Sequence, residues 1–126
     1  RGLIDAAFAG DRVEDIVARI EGAGDSWSAK QAQIIASKSP TALKLTLACL
    51  RRGGDLSFED VMRQDLRVSS WCLTGTDFYE GVRAVIIDKD HAPKWSPATV
   101  AEVDDAAIEA AFAPLDGDHE MTFLGE

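Results

Sequence analysis

Apolar residues recur along this chain at helical spacing, in segments bounded by capping residues, glycine and proline. The clearest segment has apolar side chains at positions i, i+3, i+4 and i+7, which lie on one face of a helix: Val13, Ile16, Val17 and Ile20. The segment from Asp11 to Glu14 has the form of a capping box, and Gly22 is a helix terminator. Together these signals predict one amphipathic helix.

The same signals predict about six or seven short-to-medium helices in all. The others begin near Leu3, at Ser26 or Ser28, at Ser39, at Ser57, at Asp77 and around Asp104. In the Ser39 helix, Leu43, Leu47 and Leu50 form the expected apolar stripe, and the Ser57 helix is the longest, ending at Gly75. Alternating strand patterns and Asn-Gly hairpin signals are absent. The pattern therefore predicts an all-α fold.

The helix beginning at Asp77 ends in a charged turn followed by Pro-Lys-Trp. Asp77 is expected to accept a hydrogen bond from an unpaired amide in the first turn, and Glu80 to bond back to the cap amide. Four apolar residues fall on one face of this helix: Phe78, Val82, Val85 and Ile86. This segment is the most informative one in the chain.

Composition narrows the class of protein without identifying it. With 126 residues, 46% of them hydrophobic and 28% charged, the chain is long enough for one soluble domain with a modest core. A net charge of −9 argues against non-specific nucleic-acid binding, and no apolar run approaches the roughly 20 residues needed to span a membrane. The chain begins with Arg1 rather than methionine, so we expect it to start within a longer protein.

A search for catalytic spacing finds no nucleophile elbow and no phosphate-binding glycine loop. His91 and His119 have no second ligand at metal-binding spacing, and Cys49 and Cys72 are expected to be reduced structural thiols rather than a nucleophile or a disulfide. The acidic residues 102, 104 and 105 fit the charge bias of a helix start. The sequence therefore predicts no catalytic residue, no metal site and no cofactor.

Three basic residues surround the charged turn: Arg83, Lys89 and Lys94. They are either solvated partners in salt bridges or a local attraction for a phosphorylated molecule. Lys89 is best placed for the second role, because a flexible ammonium just after a helix acts as a point charge on phosphate. The aromatic residues leave a similar choice open: the tryptophans are expected to anchor the core or an interface, and one of Phe78 and Tyr79 could face a partner.

Several segments, in order and at matching spacing, resemble the 3-hydroxyisobutyryl-CoA hydrolase branch of the enoyl-CoA hydratase/isomerase (crotonase) superfamily. The resemblance covers roughly Ala9 to Leu115. It is carried by Ser39–Lys44 (SPTALK), Leu56–Val61 (LSFEDV), Glu80–Ala84 (EGVRA), Asp88–Asp90 (DKD), Pro93–Trp95 (PKW) and Phe112. The Glu-Gly helix also occurs in short-chain enoyl-CoA hydratases, whereas the DKD and PKW features favour the hydrolase branch.

The resemblance implies an all-α C-terminal helical domain over residues 1–115 that covers the acyl-CoA pocket and supports assembly. It implies a flexible tail over 116–126 and an N-terminal catalytic core that is absent from this chain. Without that core, which would supply the oxyanion amides and carboxylates, we expect the chain alone to be inactive. Lys89 is the expected substrate-binding residue, since related hydratases place a lysine after this helix near coenzyme A, provided that the turn here carries one extra residue.

The implied activity is hydrolysis of a short branched 3-hydroxyacyl-CoA thioester, as in valine catabolism. The implied partners are the acyl-CoA substrate, the catalytic core and a second copy in a homo-oligomer, with no nucleic acid and no membrane. The expected location is cytoplasmic, with a mitochondrial location as the alternative in a eukaryote. Two rival functions stay open: hydration or isomerisation of an enoyl-CoA on the same scaffold, and a non-catalytic helical interaction module.

Overall fold

In the computed structural model, residues 1–124 are described, and within them the regular elements are all helical. The α-helices are α1 (Gly2–Ala7), α2 (Val13–Gly22), α3 (Ser26–Ala36), α4 (Pro40–Gly53), α5 (Phe58–Thr74), α6 (Asp77–Val82) and α7 (Asp105–Ala110). A π-helical turn (Arg83–Ile87) follows α6 directly, and short 3₁₀ turns occupy Val100–Glu102 and Gly117–His119. None of the described helices is long and apolar enough to cross a membrane.

Two of the predicted helix caps are confirmed, at the starts of α4 and α5. Ser39 caps α4 by accepting from the Ala42 amide, with Pro40 at the first helical position, and Ser57 caps α5 by accepting from Asp60. The predicted capping box at Asp11 is wrong, because α2 starts at Val13 after Arg12 and has no side-chain cap. The cap of α3 is not a serine either.

In α3 the cap is Asp25, whose carboxylate accepts from the Ser28 amide at 2.9 Å and from the Ser28 hydroxyl at 2.7 Å. Both serines proposed as caps therefore lie inside the helix, and Ser28 is fully buried. Aspartate and serine are comparably good caps, so their order along the chain could not be settled by residue type alone.

Two apolar clusters stabilise the fold, and α4 contributes to both. The first is formed by α1 and α2, with residues of α3 and Leu47 of α4 packed against it; its buried members are Ala7, Ile16 and Ile20. The second joins α4, α5 and α7; its buried members are Leu45, Val103, Ile108, Ala111 and Phe112, with Trp71 packed alongside. Helix α4 therefore lies between two cores.

This arrangement corrects the predicted stripe of α4. Leu43 and Leu47 are half-buried, whereas Leu50 is 71% exposed, and the buried residues of the helix body are Lys44 and Leu45. A single stripe at i, i+4 and i+7 assumes one core. Because α4 contacts a core on each of two sides, its buried positions do not form one stripe.

The segment after α7 packs back onto α5. Arg67 pairs with Glu120 at 2.9 Å, and Glu120 also accepts from the Leu115 amide at 3.0 Å. Arg63 donates to the Met121 carbonyl at 3.1 Å. The flexibility predicted for 116–126 stays a prediction, and residues 125–126 lie outside the described part of the chain.

Candidate functional site

An apolar groove of about 1160 Å³ opens between α4, α5, α6 and the segment that follows the π turn. Four of its lining residues form the helical face predicted from sequence, which is confirmed: Phe78, Val82, Val85 and Ile86. Leu45 and Trp71 lie on the side of the second core, and Trp95 forms part of another wall. Phe78, Val85 and Ile86 are at least half exposed in the chain alone, so this groove presents a large apolar surface.

The segment bearing Trp95 is attached to the helices by one carboxylate. Asp77 accepts from the Ser39 hydroxyl at 2.5 Å and from the Ser96 amide at 3.0 Å. The Trp95 indole donates to the Ser37 carbonyl at 3.1 Å, and its ring lies against Gly81. Asp77 therefore joins the start of α4 to the wall of the groove.

The predicted capping role of Asp77 is accordingly wrong. The residue before α6 is Thr76, and no side chain caps this helix. Glu80 is likewise not a partner of the cap amide. It pairs with Arg83 through two hydrogen bonds of 2.8 Å and accepts from the Lys94 amide at 2.6 Å. Both carboxylates serve contacts between segments distant in sequence.

Arg83 is the centre of the charged turn. Besides Glu80, its guanidinium donates to Asp88 at 2.7 Å, to Asp90 at 2.8 Å and to the Ala92 carbonyl at 3.3 Å. Of the three basic residues singled out in the sequence, Arg83 thus has the structural role in salt bridges. Glu80, Asp88 and Asp90 all raise its pKa, so the guanidinium stays charged.

The turn itself has unusual backbone geometry. The Asp88 amide donates to the Arg83 carbonyl at 2.8 Å, an i→i+5 bond that closes a π turn. Such turns hold one residue more than an α turn and are frequent at functional sites. Beyond it, Lys89 and His91 have φ angles of +55° and +53°, a region that costs energy for residues other than glycine. The surrounding hydrogen bonds hold this conformation.

Lys89 lies at the outside of this turn and is exposed. Among residues 1–124 no ion-pair partner of Lys89 is found, although it stands between two aspartates. Lys94 is also exposed, and only its backbone amide is held by the network. His91 and Pro93, from the same turn, line the groove. An available cation therefore lies at the edge of the apolar surface.

Lowering the pH is expected to weaken this turn through Glu80. The Arg83 guanidinium, and after it the Lys94 amide, lower the pKa of Glu80 from 4.5 to about 2, against the opposing effects of desolvation and of the Asp90 charge. A lowered pKa in the folded state means that ionised Glu80 stabilises the fold above pH 4.5 and that this stabilisation is lost as the pH falls towards 2. Thermal unfolding of the full-length enzyme between pH 5 and pH 2 measures the loss.

The Glu80→Gln variant should lose this part of the pH dependence and melt at a lower temperature already at pH 5. Glu59→Gln, at an exposed glutamate in the first turn of α5, is the matched control and should follow the unsubstituted enzyme. Identical profiles for Glu80→Gln and the unsubstituted enzyme would show that Glu80 does not hold the turn.

A second charged cluster was missed in the sequence. The Lys44 side chain is only 9% exposed, and its ammonium contacts Asp105 at 2.6 Å, Glu14 at 3.2 Å and the Val103 carbonyl at 3.1 Å. Burial lowers the pKa of Lys44, but hydrogen bonds to Asp105 and Glu14 outweigh it and raise the pKa. Two of these partners, Val103 and Asp105, lie 59 and 61 residues from Lys44 along the chain. No local sequence signal therefore predicts these contacts.

The remaining residues considered as metal ligands, nucleophiles or acid/base groups are not arranged for those roles. Within residues 1–124, no group of three or more histidine, cysteine, aspartate or glutamate side chains is placed to hold a metal. Cys49 and Cys72 are free and half-buried, and burial raises the pKa of each thiol, which disfavours a nucleophilic thiolate. Asp104 caps α7 and Glu102 forms a capping box with Thr99, as expected for a helix start.

Comparison with known proteins places these features in a family context. The family model described as enoyl-CoA hydratase/isomerase matches residues 1–112. A relative from Gallus gallus, named 3-hydroxyisobutyryl-CoA hydrolase, mitochondrial, is 45% identical over 112 residues, covering 89% of this chain and 29% of the relative. The relative of the same name from Homo sapiens is 38% identical over 120 residues, covering 95% of this chain and 31% of the relative.

Two solved structures are also similar. A carnitinyl-CoA dehydratase from Mycobacterium thermoresistibile matches all of this chain and 36% of its own, with a TM-score of 0.91 and 44% identity. An enoyl-CoA hydratase from Rhodobacter sphaeroides 2.4.1 matches 95% of this chain and 35% of its own, with a TM-score of 0.86 and 33% identity. The chain thus spans about a third of the length of the proteins that it resembles.

These matches correct the predicted fold class. The enoyl-CoA hydratase/isomerase family model itself covers residues 1–112, and the structural match covers the whole chain. The prediction that this chain is an all-α C-terminal helical domain of a crotonase-like enzyme is therefore wrong. Residues 1–112 are the helical part of the crotonase region.

Proposed function

This chain belongs to the enoyl-CoA hydratase/isomerase family, and we propose that the enzyme of which it is a part hydrolyses a short 3-hydroxyacyl-CoA thioester. The vertebrate relatives named as 3-hydroxyisobutyryl-CoA hydrolases support this reaction, and with it a place in valine catabolism. Their names also favour the mitochondrial alternative over the cytoplasmic location. The chemistry itself is assigned to the rest of the enzyme, because the family resemblance places the oxyanion amides and the carboxylates in a core that this chain does not include.

One observation carries the proposed role of this chain: an apolar groove and an available cation adjoin one another. An acyl-CoA has an apolar acyl end and a phosphorylated nucleotide end, and the two require these two kinds of surface. His91 and Pro93 line the groove, and Lys89 lies on the same turn. The groove is proposed to form part of the acyl-CoA pocket and to pack against the rest of the enzyme. Lys89 is proposed to bind the phosphates.

The groove is too apolar to face water in the complete enzyme. Large exposed apolar patches mark binding surfaces, and the relatives have more than twice the length matched here. We therefore propose that the remainder of the polypeptide covers the groove, with this chain closing the acyl-CoA pocket.

Two apolar side chains outside the groove, Leu50 and Phe58, are exposed by more than 70%. They are assigned to contacts between copies in a homo-oligomer. Sedimentation of the full-length enzyme checks this assignment.

Hydrolysis is tested by supplying the full-length enzyme with 3-hydroxyisobutyryl-CoA and measuring the released thiol with a thiol reagent. Hydration is followed in parallel as the loss of the conjugated double bond of a 2-enoyl-CoA. Thiol release without hydration supports the hydrolase. Hydration without thiol release supports the second candidate, which the carnitinyl-CoA dehydratase and enoyl-CoA hydratase structures favour.

Removing the cation is expected to weaken substrate binding without changing the chemistry. We expect Lys89→Ala to raise KM for the acyl-CoA about twofold to fivefold, as one exposed charge pair is lost, with kcat little changed. The effect should shrink at high salt, because salt screens exposed charges. Steady-state kinetics at low and high ionic strength measure both.

The matched control is Lys94→Ala, which removes an exposed lysine on the same segment while leaving the Lys94 amide bonded to Glu80. It should raise KM less than Lys89→Ala does. Equal KM values for Lys89→Ala and the unsubstituted enzyme would remove Lys89 from the site. If the full-length protein neither released thiol nor hydrated a 2-enoyl-CoA, the non-catalytic interaction module would be favoured.

A further inference from the structure

Two aspartates flank Lys89 in the sequence, and both are bound by the same arginine. Asp88 accepts from the Arg83 guanidinium at 2.7 Å, and Asp90 accepts from the same guanidinium nitrogen at 2.8 Å. Lys89, between them, is exposed and has no ion pair among the described residues. The neighbouring carboxylates are thus turned towards Arg83 instead of the lysine.

This arrangement matters because carboxylates oppose phosphate binding in two ways. A carboxylate near an ammonium competes with phosphate for the same cation. Its own negative charge also repels an approaching phosphate, over a range set by the Debye length of roughly 8–10 Å. The sequence Asp-Lys-Asp alone would therefore be a poor phosphate site.

We propose that Arg83 is a positioning residue for phosphate recognition: by binding Asp88 and Asp90 it keeps both carboxylates from Lys89 and leaves the Lys89 ammonium free for a phosphate of the acyl-CoA. The inference rests on the proposed binding role of Lys89 and extends it to the residue that makes the lysine available. Arg83 itself does not touch the ligand. Its bidentate pair with Glu80 fixes the guanidinium on α6, so that it presents a defined nitrogen to both aspartates.

The left-handed backbone of the turn supports this division of roles. With φ of +55° at Lys89, the chain reverses between the two aspartates, and their carboxylates converge on one nitrogen of Arg83. The Asp90 carboxylate also accepts from the Ala92 amide at 2.9 Å, which fixes it further. Both acidic side chains are held by hydrogen bonds to Arg83, whereas Lys89 between them has no ion pair among the described residues.

The test compares two substrates of the full-length enzyme: the acyl-CoA and the corresponding acyl-pantetheine, which lacks the nucleotide and its phosphates. We expect Arg83→Gln to raise KM for the acyl-CoA about fivefold, since it frees two carboxylates beside one ammonium. KM for the acyl-pantetheine and kcat for both substrates should change little. A merely structural role for Arg83 would affect both substrates alike.

A triple variant isolates the electrostatic part. Adding Asp88→Asn and Asp90→Asn to Arg83→Gln removes the carboxylates while leaving Lys89 in place, and KM for the acyl-CoA should recover most of the loss. The double variant Asp88→Asn with Asp90→Asn keeps Arg83 and should bind the acyl-CoA at least as well as the unsubstituted enzyme. This double variant tests the inference even if Arg83→Gln fails to fold.

The inference is overturned if Arg83→Gln impairs both substrates equally, if the triple variant shows no recovery, or if the double variant binds the acyl-CoA more weakly. These outcomes differ from failure of the proposed function, in which Lys89→Ala would bind the acyl-CoA as well as the unsubstituted enzyme. A normal Lys89 effect without an Arg83 effect would keep Lys89 in the site and remove Arg83.

Discussion

Replacing Lys44 by alanine is expected to lower the free energy of unfolding by about 2–3 kcal/mol. Losing one partner of a buried charge pair typically costs about 3–5 kcal/mol. The loss should be smaller here because the Asp105 side chain is 72% exposed and can be hydrated once its partner is gone. Glu14 is only 31% exposed and the Val103 carbonyl also loses its donor. Chemical denaturation of the full-length enzyme measures the change.

Two further variants separate the charge from the packing of Lys44. Lys44→Met keeps the apolar stem and should cost less than Lys44→Ala, about 1–2 kcal/mol. Lys30→Ala, at an exposed lysine of α3, should cost almost nothing. If Lys44→Ala were no worse than Lys30→Ala, the ammonium would not hold α2, α4 and the start of α7 together.

Placing a carboxylate in the groove should have the largest effect on the complete enzyme. Ile86 is 64% exposed in this chain but lines the surface assigned to the rest of the polypeptide. An aspartate buried there without a partner would cost about 3 kcal/mol or more. We expect Ile86→Asp to abolish the proposed thioester hydrolysis or to yield an enzyme that no longer folds as one unit.

The matched control is Ile34→Asp, which changes the same residue type at a 42% exposed position of α3 outside the groove. It should keep most of the activity and melt near the temperature of the unsubstituted enzyme. Activity and thermal unfolding, measured together, distinguish a lost interface from a local loss of stability. Equal behaviour of the two variants would mean that the groove faces solvent in the complete enzyme.

Local sequence signals predicted the helices well. The serine caps of α4 and α5, the proline after Ser39 and the apolar face that begins at Phe78 all depend on residues within a few positions of one another. Capping and amphipathic periodicity act over such distances, so they are visible in one sequence. The groove wall formed by α6 and the π turn was predictable from the sequence for the same reason.

Local sequence signals gave a wrong prediction where a carboxylate can either cap a helix or bind a distant segment. Asp77 and Glu80 have the spacing of a capping box, yet Asp77 binds Ser39 and Ser96, and Glu80 binds Arg83 and the Lys94 amide. These partners lie up to 38 residues away. A tertiary contact that offers several hydrogen bonds replaces a local cap that offers one, and a single sequence does not show which contact is available.

The ion pairs of Lys44 and Arg83 were likewise not predictable from the sequence. Lys44 belongs to a segment that resembles known hydrolases, but its ion pairs depend on Glu14 and Asp105, which approach it from two other helices. In the sequence Arg83 is one of three similar cations, and only the structure shows that it binds both aspartates beside Lys89. Charge type is visible in sequence, whereas the allocation of partners is not.

The π turn at Arg83–Ile87 has a consequence for numbering across relatives. One residue inserted into a continuous α-helix turns everything after it by about 100°, whereas a π turn absorbs that residue within a single turn. A relative whose helix is uninterrupted here can therefore share the elements on both sides and still be one residue shorter. Beyond Arg83, functional positions should be matched between such proteins by superposition, with an offset of one, rather than by ungapped alignment.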